Sequence, residues 1–342
     1  MSQFTQSAPI RLTVGSDDDC NFQTIQEAVD SGTVNMDIRV TNQQDLFSGV
    51  QIIDGNDVSF LRGGYANCAN AFDGIIDDEN PYTNILDLNG NDVLYIFKNN
   101  VSHYSLNISG FKLQNGITGV YVASGVDNET LTIGFNSVEI FNNSFSGVQI
   151  YGTGSEVNFN NTKIYNNENS TNGGGVYCFE SVVNLGENVA IFDNMARRGA
   201  GIYAQKCTVT LQAGDNHPMD EVEWGVYANN ATDSGAGIYL SQANLIGFGT
   251  LLRPISIIGN SIIGDQHEGK GGGIYLSSGS GMNLGNVRIS GNSARAAGAA
   301  IASNHNDTNL EAPFFSITRS DEGCEYDEIC TTLMNNSTSE NG

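Results

Sequence analysis

The sequence predicts an all-β fold, a right-handed parallel β-helix of about ten coils, and three recurring motifs support this prediction. The first motif is a Gly-rich block followed by a valine or an isoleucine. In some copies an alanine replaces a glycine within the block. Its aliphatic residue recurs at intervals of 28, 28, 26, 36, 36 and 27 residues. The recurring residues are Val120, Val148, Val176, Ile202, Ile238, Ile274 and Ile301. A fixed period of this kind is the signature of repeat architectures.

The second motif is an aliphatic or aromatic strand that ends in asparagine, and the third is a short apolar strand after the Gly block. The Asn-terminated members are Ile140–Asn143, Ile164–Asn167, Ile191–Asn194, Ile257–Asn260, Ile289–Asn292 and, more weakly, Tyr227–Asn230; the third motif comprises Val182–Leu185, Thr208–Leu211 and Met282–Leu284. Three short strands bury a core by winding into a coil that stacks on the next coil. We expect the corner asparagines to hydrogen-bond to their counterparts in adjacent coils. A β-propeller fits less well, because its blades need about 40–45 residues.

The N-terminal region predicts a cap on this solenoid. Residues 12–40 predict a strand and an amphipathic helix, and residues 41–342 predict the coils, so that 1–342 form one domain. The apolar residues on one helical face are Phe22, Ile25, Ala28 and Val29. A helix with this face would cover the open strand edges of the first coil, although an ordinary surface helix is the alternative. Leu333–Asn336 resembles another strand–Asn unit, so we expect the natural chain to continue beyond Gly342.

Composition excludes several partners. The 342 residues include 14 Lys and Arg against 38 Asp and Glu, a formal charge of −24. Nucleic acid and anionic membrane surfaces are therefore excluded as partners, because both would be repelled. No stretch reaches the roughly 18 apolar residues of a membrane span. Met1–Ala8 lacks the apolar core of a secretory signal, so we expect either a removed signal or another export route.

Particular segments resemble a known group of proteins. Gly15–Ala28, Leu61–Tyr65, Ile85–Gly90 and Ser109–Gly116 resemble landmarks of secreted bacterial pectin-lyase-like proteins. The later Gly blocks and Asn tetrads are similar to repeats of polymorphic outer-membrane proteins, which are autotransported adhesins. The resemblance implies a parallel β-helix at the cell surface or outside the cell, associated with an outer membrane. The sequence departs from the repeats, since Ile usually stands where that family has Phe, and it contains no C-terminal barrel.

Six cysteines without a zinc-binding spacing favour disulfides over free buried thiols, because the count is even and the acidic surface is typical of exported proteins. Cys20 and Cys68 are candidates to join the cap to the first coils. Cys178 and Cys207 follow Gly-block strands of consecutive units and are the least secure pair. Cys324 and Cys330 are candidates to close a local loop, a spacing also seen in the repeats that the chain resembles.

Catalysis by a polysaccharide hydrolase or lyase requires a convergent acid and base. Asp77-Asp78 is the only paired aspartate resembling part of a hydrolase site, and a solvated acidic loop is the simpler interpretation. Arg197-Arg198, with Lys163, Lys206 and Arg62 as possible neighbours, resembles the base of a lyase, but a loop that relieves acidic repulsion explains it as well. We therefore predict no catalytic residue while leaving an enzyme open.

No cofactor or metal site is predicted. The four histidines are His103, His217, His267 and His305, and they form no triad or metal-binding spacing. The acidic runs Asp17–Asp19 and Glu325–Glu328 would bind Ca²⁺ at most weakly, because neither has the spacing of a known calcium loop.

The most suggestive surface feature is a row of tyrosines. Alternation within the strand places the residue after the aliphatic position on the outer face, and the row comprises Tyr121, Tyr177, Tyr203, Tyr239 and Tyr275. Gln149 interrupts the row and Ala302 ends it. Such rings stack on sugars or on a protein partner, although cross-strand packing alone also explains them. We predict a non-enzymatic adhesion module for a polysaccharide or a cell-surface protein, with an unrecognised polysaccharide lyase or hydrolase and a structural spacer as alternatives.

Overall fold

The chain is a parallel β-helix. The computed structural model describes residues 8–42, 48–86, 90–99, 103–125, 130–213, 224–250, 253–264, 269–304, 313–318, 332–334 and 336–338. Within these ranges every pairing between strands is parallel, and each residue pairs with its equivalent one coil further along, as Val148 does with Val176 and Val176 with Ile202. The fold class predicted from the repeat is therefore confirmed.

The Gly-block strands form one sheet of nine strands, which we call the tyrosine sheet. Its strands are Val50–Ile52, Leu94–Lys98, Thr118–Ser124, Ser146–Tyr151, Val176–Phe179, Ile202–Gln205, Ile238–Ser241, Ile274–Leu276 and Ile301–Ser303. The aliphatic residue of each block points into the core, so Val176 and Ile202 are fully buried. The nine strands mark nine successive coils, close to the number that the repeat predicts.

The next two strands of each coil belong to one large sheet of 18 strands. Its strands are Ile10–Val14, Met36–Thr41, Val58–Tyr65, Thr83–Leu86, His103–Gln114, Thr130–Phe141, Ser155–Asn160, Lys163–Tyr165, Val182–Leu185, Ala190–Phe192, Thr208–Gln212, Gly225–Tyr227, Asn244–Phe248, Ile255–Ile258, Gly281–Gly285, Val287–Ser290, Phe314–Thr318 and Thr332–Met334. Thr130–Phe141 pairs with both Ser155–Asn160 and Lys163–Tyr165, because later coils divide this long strand at a corner. Asn161 and Asn188 form that corner with positive φ, which asparagine tolerates better than most residues.

The later coils contain a fourth strand that the sequence did not predict. The segment between the Asn corner and the Gly block was expected to form turns. It forms a sheet of six short strands, which we call the short-strand sheet. Its strands are Glu168–Asn172, Met195–Arg198, Asn230–Ser234, Ser261–Ile262, Ser293–Ala294 and Ser337–Thr338. These strands contain two to five residues, and their register shifts between coils, so they carry too short an alternation to be recognised in the sequence.

The predicted capping helix is present at Ile25–Val29. The side chain of Thr24 accepts from the Glu27 amide and Glu27 accepts from the Thr24 amide, which is a capping box. Ile25 and Val29 are buried in the main core. The side-chain amide of Gln26 bonds to the backbone of Gln51. Its Nε2 donates to the Gln51 carbonyl at 3.1 Å, and its Oε1 accepts from the Gln51 N–H at 2.8 Å. The helix thus covers the end of the core and satisfies the edge of the first strand of the tyrosine sheet.

A second helix, Cys68–Asp73, packs on the first strands of the large sheet. The buried guanidinium of Arg39 donates from Nη1 to the Ala71 carbonyl at 2.8 Å and the Phe72 carbonyl at 3.1 Å. A cation is favourable there, because these carbonyls lie at the C-terminal end of the helix. No helix in the described ranges is long and apolar enough to cross a membrane.

The corner asparagines form a continuous buried ladder, as the repeat predicts. In each step the Nδ2 group of one asparagine donates to Oδ1 of the next, at 2.9 to 3.1 Å. The ladder comprises Asn143, Asn167, Asn194, Asn229, Asn260, Asn292 and Asn336. Each Oδ1 in these steps also accepts the backbone N–H of the preceding member. Stacked coils therefore satisfy polar groups that would otherwise be costly to bury.

Candidate functional site

The tyrosine sheet brings the five predicted tyrosines into one row on its outer face. Tyr177, Tyr203, Tyr239 and Tyr275 pair directly in register, and Gln149 lies between Tyr121 and Tyr177 as the sequence indicates. Tyr203, Tyr239 and Tyr275 form a cluster separate from the main core, with Tyr177 packed against it, so these side chains point away from that core. The structure therefore places these residues together along one face of the rod.

Two further tyrosines extend the row and close its gap. Tyr95 pairs with Tyr121 from the preceding coil, at 5.0 Å between ring centroids. Tyr151 stands two residues after Gln149, and its ring lies 5.4 Å from both Tyr121 and Tyr177. The resulting tyrosine ladder of seven rings comprises Tyr95, Tyr121, Tyr151, Tyr177, Tyr203, Tyr239 and Tyr275. The sequence analysis missed both residues, although Tyr151 shares the outer alternation of Gln149.

Most rings of the tyrosine ladder stack face to face, and the two contacts of Tyr151 are tilted by 32° and 39°. Neighbouring centroids lie 4.9 to 5.4 Å apart, a favourable range for aromatic pairs. Tyr203, Tyr239 and Tyr275 are consequently only 7 to 9 % exposed, whereas the other four are half-buried. A ligand lying along this face would meet ring edges and hydroxyls, since the ring faces are covered.

The hydroxyls of the tyrosine ladder remain available. Tyr151 donates to Oε1 of Gln149 at 3.3 Å, and the other six hydroxyls make no hydrogen bond within the described ranges. None of these six oxygens is a buried unsatisfied atom, so all six are accessible to solvent. Burial raises the pKa of Tyr151 and of Tyr239 to about 12, and the Arg198 charge opposes that rise at Tyr239. The phenols of Tyr151 and Tyr239 therefore stay protonated at neutral pH and can both donate and accept.

A cationic corner borders the ladder on the side of the short-strand sheet. The Arg198 guanidinium lies 5.7 Å from the centre of the Tyr239 ring. Its Nε donates to Oδ2 of Asp233 at 2.8 Å, and Nε of Arg197 lies 3.3 Å from the same oxygen. The arginine doublet is thus fixed beside the ladder by one carboxylate.

A second aromatic row lies on the large sheet. Phe141, Tyr165, Phe192 and Tyr227 stack with centroids 4.9 to 5.0 Å apart and planes within 8° of parallel. The coil passes through one other strand between these residues and the tyrosine ladder in either direction, so the two rows lie on different faces of the coil. The alternation of the Asn-terminated strands contained this signal, because the aromatic residue stands directly after the buried aliphatic one.

Two of the three predicted cysteine pairs are bonded. Cys20 joins Cys68, which ties the loop before the capping helix to the second helix, and Cys178 joins Cys207 between consecutive coils. Their Cα atoms lie 5.4 and 6.3 Å apart, within the range of disulfides. Cys324 and Cys330 lie outside the described residues.

The residues considered for catalysis do not assemble into one site within the described ranges. Asp77 accepts from Nδ2 of Asn42 at 2.8 Å, and this bond lowers the pKa of Asp77. Lys206 pairs with Glu180 at 2.7 Å, and Arg62 pairs with Asp37 at 3.3 Å. Each of these groups therefore has a structural partner of its own.

The remaining candidates are scattered. Asp78 and His103 are both exposed. Lys163, on the large sheet, lies 5.8 Å from the centre of the Trp224 ring. His217, His267, His305 and Glu325–Glu328 lie outside the described residues. Asp17–Asp19 lines a shallow depression with Asn67 and Ala69. No group of three His, Cys, Asp or Glu residues in the described part of the chain is arranged to hold a metal ion.

Comparison with known proteins gives no family assignment. No protein-family model and no curated protein matches the chain. Among solved structures, the chain is similar to Escherichia coli YbhC, with 12 % identity and a TM-score of 0.36 over 92 % of this chain and 85 % of that one. It is also similar to a deglycosylated pectin methylesterase from Aspergillus niger, with 11 % identity and a TM-score of 0.29 over 97 % and 93 % of the two chains. Function must therefore be argued from the chain's own surface.

Proposed function

We propose that the chain is a non-enzymatic extracellular binding module that holds a glycan along the tyrosine sheet. The observation that supports this proposal is the tyrosine ladder, which runs through seven coils without a gap, because Tyr151 fills the place beside Gln149. Stacking alone explains why the rings pack on one another. It does not require a hydroxyl on every ring, and phenylalanine would stack equally well.

A row of protonated phenols suits a polyhydroxylated ligand. Each hydroxyl can donate one hydrogen bond and accept others, as a sugar hydroxyl does. The rings repeat at about 5 Å along the axis, which is the spacing of the coils themselves. An extended polysaccharide parallel to the axis would therefore meet a new hydroxyl at each coil. The ring stack holds the phenols rigidly, so few rotamers would be lost on binding.

Two disulfides support a location outside the cytosol, because disulfides persist in oxidising compartments. Association with an outer membrane, a protein partner and the function of a spacer remain predictions from the sequence. The charge of −24 still disfavours nucleic acid.

The test is binding of a polysaccharide panel by the protein and by a Tyr121→Phe/Tyr177→Phe/Tyr203→Phe variant. These substitutions keep the ring stack and remove three hydroxyls. We expect binding to weaken about tenfold or more, because a hydrogen bond contributes roughly 0.5–1.5 kcal/mol. Tyr165→Phe in the second aromatic row is the matched control and should leave affinity unchanged.

Size-exclusion chromatography of the same polymers separates binding from catalysis. Intact polymers that co-elute with the protein support the proposal. Shortened polymers would establish the enzymatic alternative instead. Equal binding by the triple variant and the parent protein would contradict the role of the hydroxyls.

A further inference from the structure

The two halves of the tyrosine ladder differ in how much ring surface they expose. Tyr203, Tyr239 and Tyr275, toward the C-terminal end of the rod, are only 7 to 9 % exposed. The four rings toward the N-terminal end are half-buried, and they are Tyr95, Tyr121, Tyr151 and Tyr177. A ligand that needs contact with aromatic carbon as well as with hydroxyls therefore finds it in the N-terminal half.

Tyr151 keeps this half continuous by leaving its own column. Alternate residues of a strand lie about 6.6 Å apart, so the Tyr151 ring would ordinarily stand that far from the column of Gln149. Its centroid instead lies 5.4 Å from those of both Tyr121 and Tyr177. The strands of Tyr121 and Tyr177 are two coil steps, or about 9.6 Å, apart, which places the Tyr151 ring about 2.5 Å from the line that joins them. Gln149 is 5 % exposed and accepts from the Tyr151 hydroxyl, so the N-terminal half presents rings without a polar interruption.

A second column of aromatic residues widens the N-terminal half. The Phe97 centroid lies 6.4 Å from that of Tyr95, and the Phe179 centroid lies 6.5 Å from that of Tyr151. Both phenylalanines are half-buried, like the tyrosines beside them. We call these six half-buried rings the aromatic platform, and its members are Tyr95, Phe97, Tyr121, Tyr151, Tyr177 and Phe179.

The C-terminal half lacks this second column. Phe179 pairs with Gln205 in the next coil, and Gln205 pairs with Ser241 in the coil after that. Polar side chains thus stand where the platform has rings. The wide aromatic surface therefore ends at the coil of Tyr177.

The cations of these coils are engaged elsewhere. Between residues 90 and 206 the chain contains six lysines and arginines, which are Lys98, Lys112, Lys163, Arg197, Arg198 and Lys206. Lys112 and Lys163 lie on the large sheet, and Lys98 is buried and donates to backbone carbonyls. Lys206 pairs with Glu180. Arg197 and Arg198 share Asp233, and the Arg198 guanidinium lies at the ring of Tyr239, beyond the platform.

Carboxylates border the platform instead. Burial raises the pKa of Tyr121 and of Tyr151, and the nearby charge of Asp92 raises both further. Glu168 is exposed on the short-strand sheet, in the segment that leads to the strand of Tyr177. An anionic polymer would be repelled by these groups, whereas a neutral polymer would not.

We infer that the ligand of the tyrosine sheet is a neutral polysaccharide and that it binds on the aromatic platform. This inference rests on the proposed glycan-binding function and adds the class of the glycan and the part of the ladder that holds it. The carbon-bound hydrogens of a sugar contact aromatic carbon, and its hydroxyls exchange hydrogen bonds with the phenols. The platform offers both kinds of surface side by side over four consecutive coils.

Dextran and hydroxyethyl cellulose are the probes, and each is compared with its carboxymethyl derivative by isothermal titration calorimetry. We expect the neutral polymers to bind more tightly than their derivatives by about fivefold or more at low salt. Added salt should narrow that gap and leave the affinity for the neutral polymers unchanged. Tighter binding of either derivative than of its neutral parent would overturn the inference, as would an affinity for the neutral polymers that falls as salt is raised.

The platform is tested without altering any tyrosine. Phe97→Ala/Phe179→Ala should weaken binding about tenfold or more, because both rings lose their contact with the sugar chain. Gln205→Ala/Ser241→Ala is the matched control from the same column and should leave affinity unchanged. Phe97→Tyr/Phe179→Tyr retains both rings and should keep at least half of the parent affinity, which separates loss of the rings from a folding defect. Equal loss in the alanine pair and in the control would overturn the platform.

The Tyr121→Phe/Tyr177→Phe/Tyr203→Phe variant separates the two proposals in the same assay. Loss in that variant with full binding by Phe97→Ala/Phe179→Ala would support the glycan-binding function and overturn the platform. Loss in the phenylalanine pair alone would support the platform and contradict the role of the hydroxyls. Binding of none of the four polymers by the parent protein would contradict the glycan-binding function itself.

Discussion

The asparagine ladder makes a quantitative prediction about stability, and Asn194 is its clearest member. Its side chain is fully buried and forms four hydrogen bonds at 3.0 Å. Nδ2 donates to the Ile164 carbonyl and to Asn229, and Oδ1 accepts from the backbone and side-chain nitrogens of Asn167. Asn194→Ala removes all four bonds and leaves their partners between two coils, out of reach of water.

At about 1 kcal/mol for each net hydrogen bond, the loss amounts to about 4 kcal/mol of unfolding free energy. Asn184→Ala is the matched control. Its side chain is half-buried on the outer face, where it donates to Glu156 at 3.1 Å and to Asn158 at 2.8 Å. Water replaces those bonds, so we expect a loss below about 1 kcal/mol.

Urea denaturation followed by circular dichroism measures both variants against the parent protein. The midpoint should fall much further for Asn194→Ala than for Asn184→Ala, with the slope unchanged. Similar midpoints for the two variants would contradict this prediction, because Asn194→Ala loses four buried hydrogen bonds and Asn184→Ala loses two that water can replace.

Three further outcomes follow from particular residues. Ala228 has φ 53° at a corner where other coils have Asn, Asp or Gly, so Ala228→Gly should raise the unfolding free energy by about 1 kcal/mol in the same urea assay; a decrease would contradict the strain. Burial lowers the pKa of Lys98 to about 8, so the folded protein binds fewer protons than the unfolded chain between about pH 8 and 10.4. The unfolding free energy of the parent protein minus that of Lys98→Met should therefore rise by up to about 3 kcal/mol as the pH increases across that window. A difference that does not change with pH would show that the amine is not desolvated. Cys178 and Cys207 are 0 and 2 % exposed, whereas Cys20 is half-buried. Mild reductant on the native protein should therefore open only the Cys20–Cys68 bridge, and mass spectrometry of alkylated peptides would show this. Opening of the Cys178–Cys207 bridge first would contradict this order.

Local repetition determined the parallel β-helix. Each Gly block and Asn corner recurs with the same alternation of buried and exposed residues. Every aliphatic position is buried only when each coil stacks on the equivalent residues of the next, so the repeat predicts the register. The capping helix was predicted from its apolar face, and the structure adds the Thr24–Glu27 capping box at its start.

Only the tertiary structure decided what the outer surface offers. Tyr151 and Tyr95 complete the ladder because the strands bring them beside Tyr121, whereas the repeat unit alone leaves Gln149 as a gap. Arg198 and Lys270 stand 72 positions apart in the chain, yet both pair with Ser234 through short strands that carry no recognisable period. Core positions repeat because burial constrains the residue at each of them. Residues on the outer surface are free to vary from coil to coil. Which surface residues lie side by side is therefore seen only when the coils are stacked.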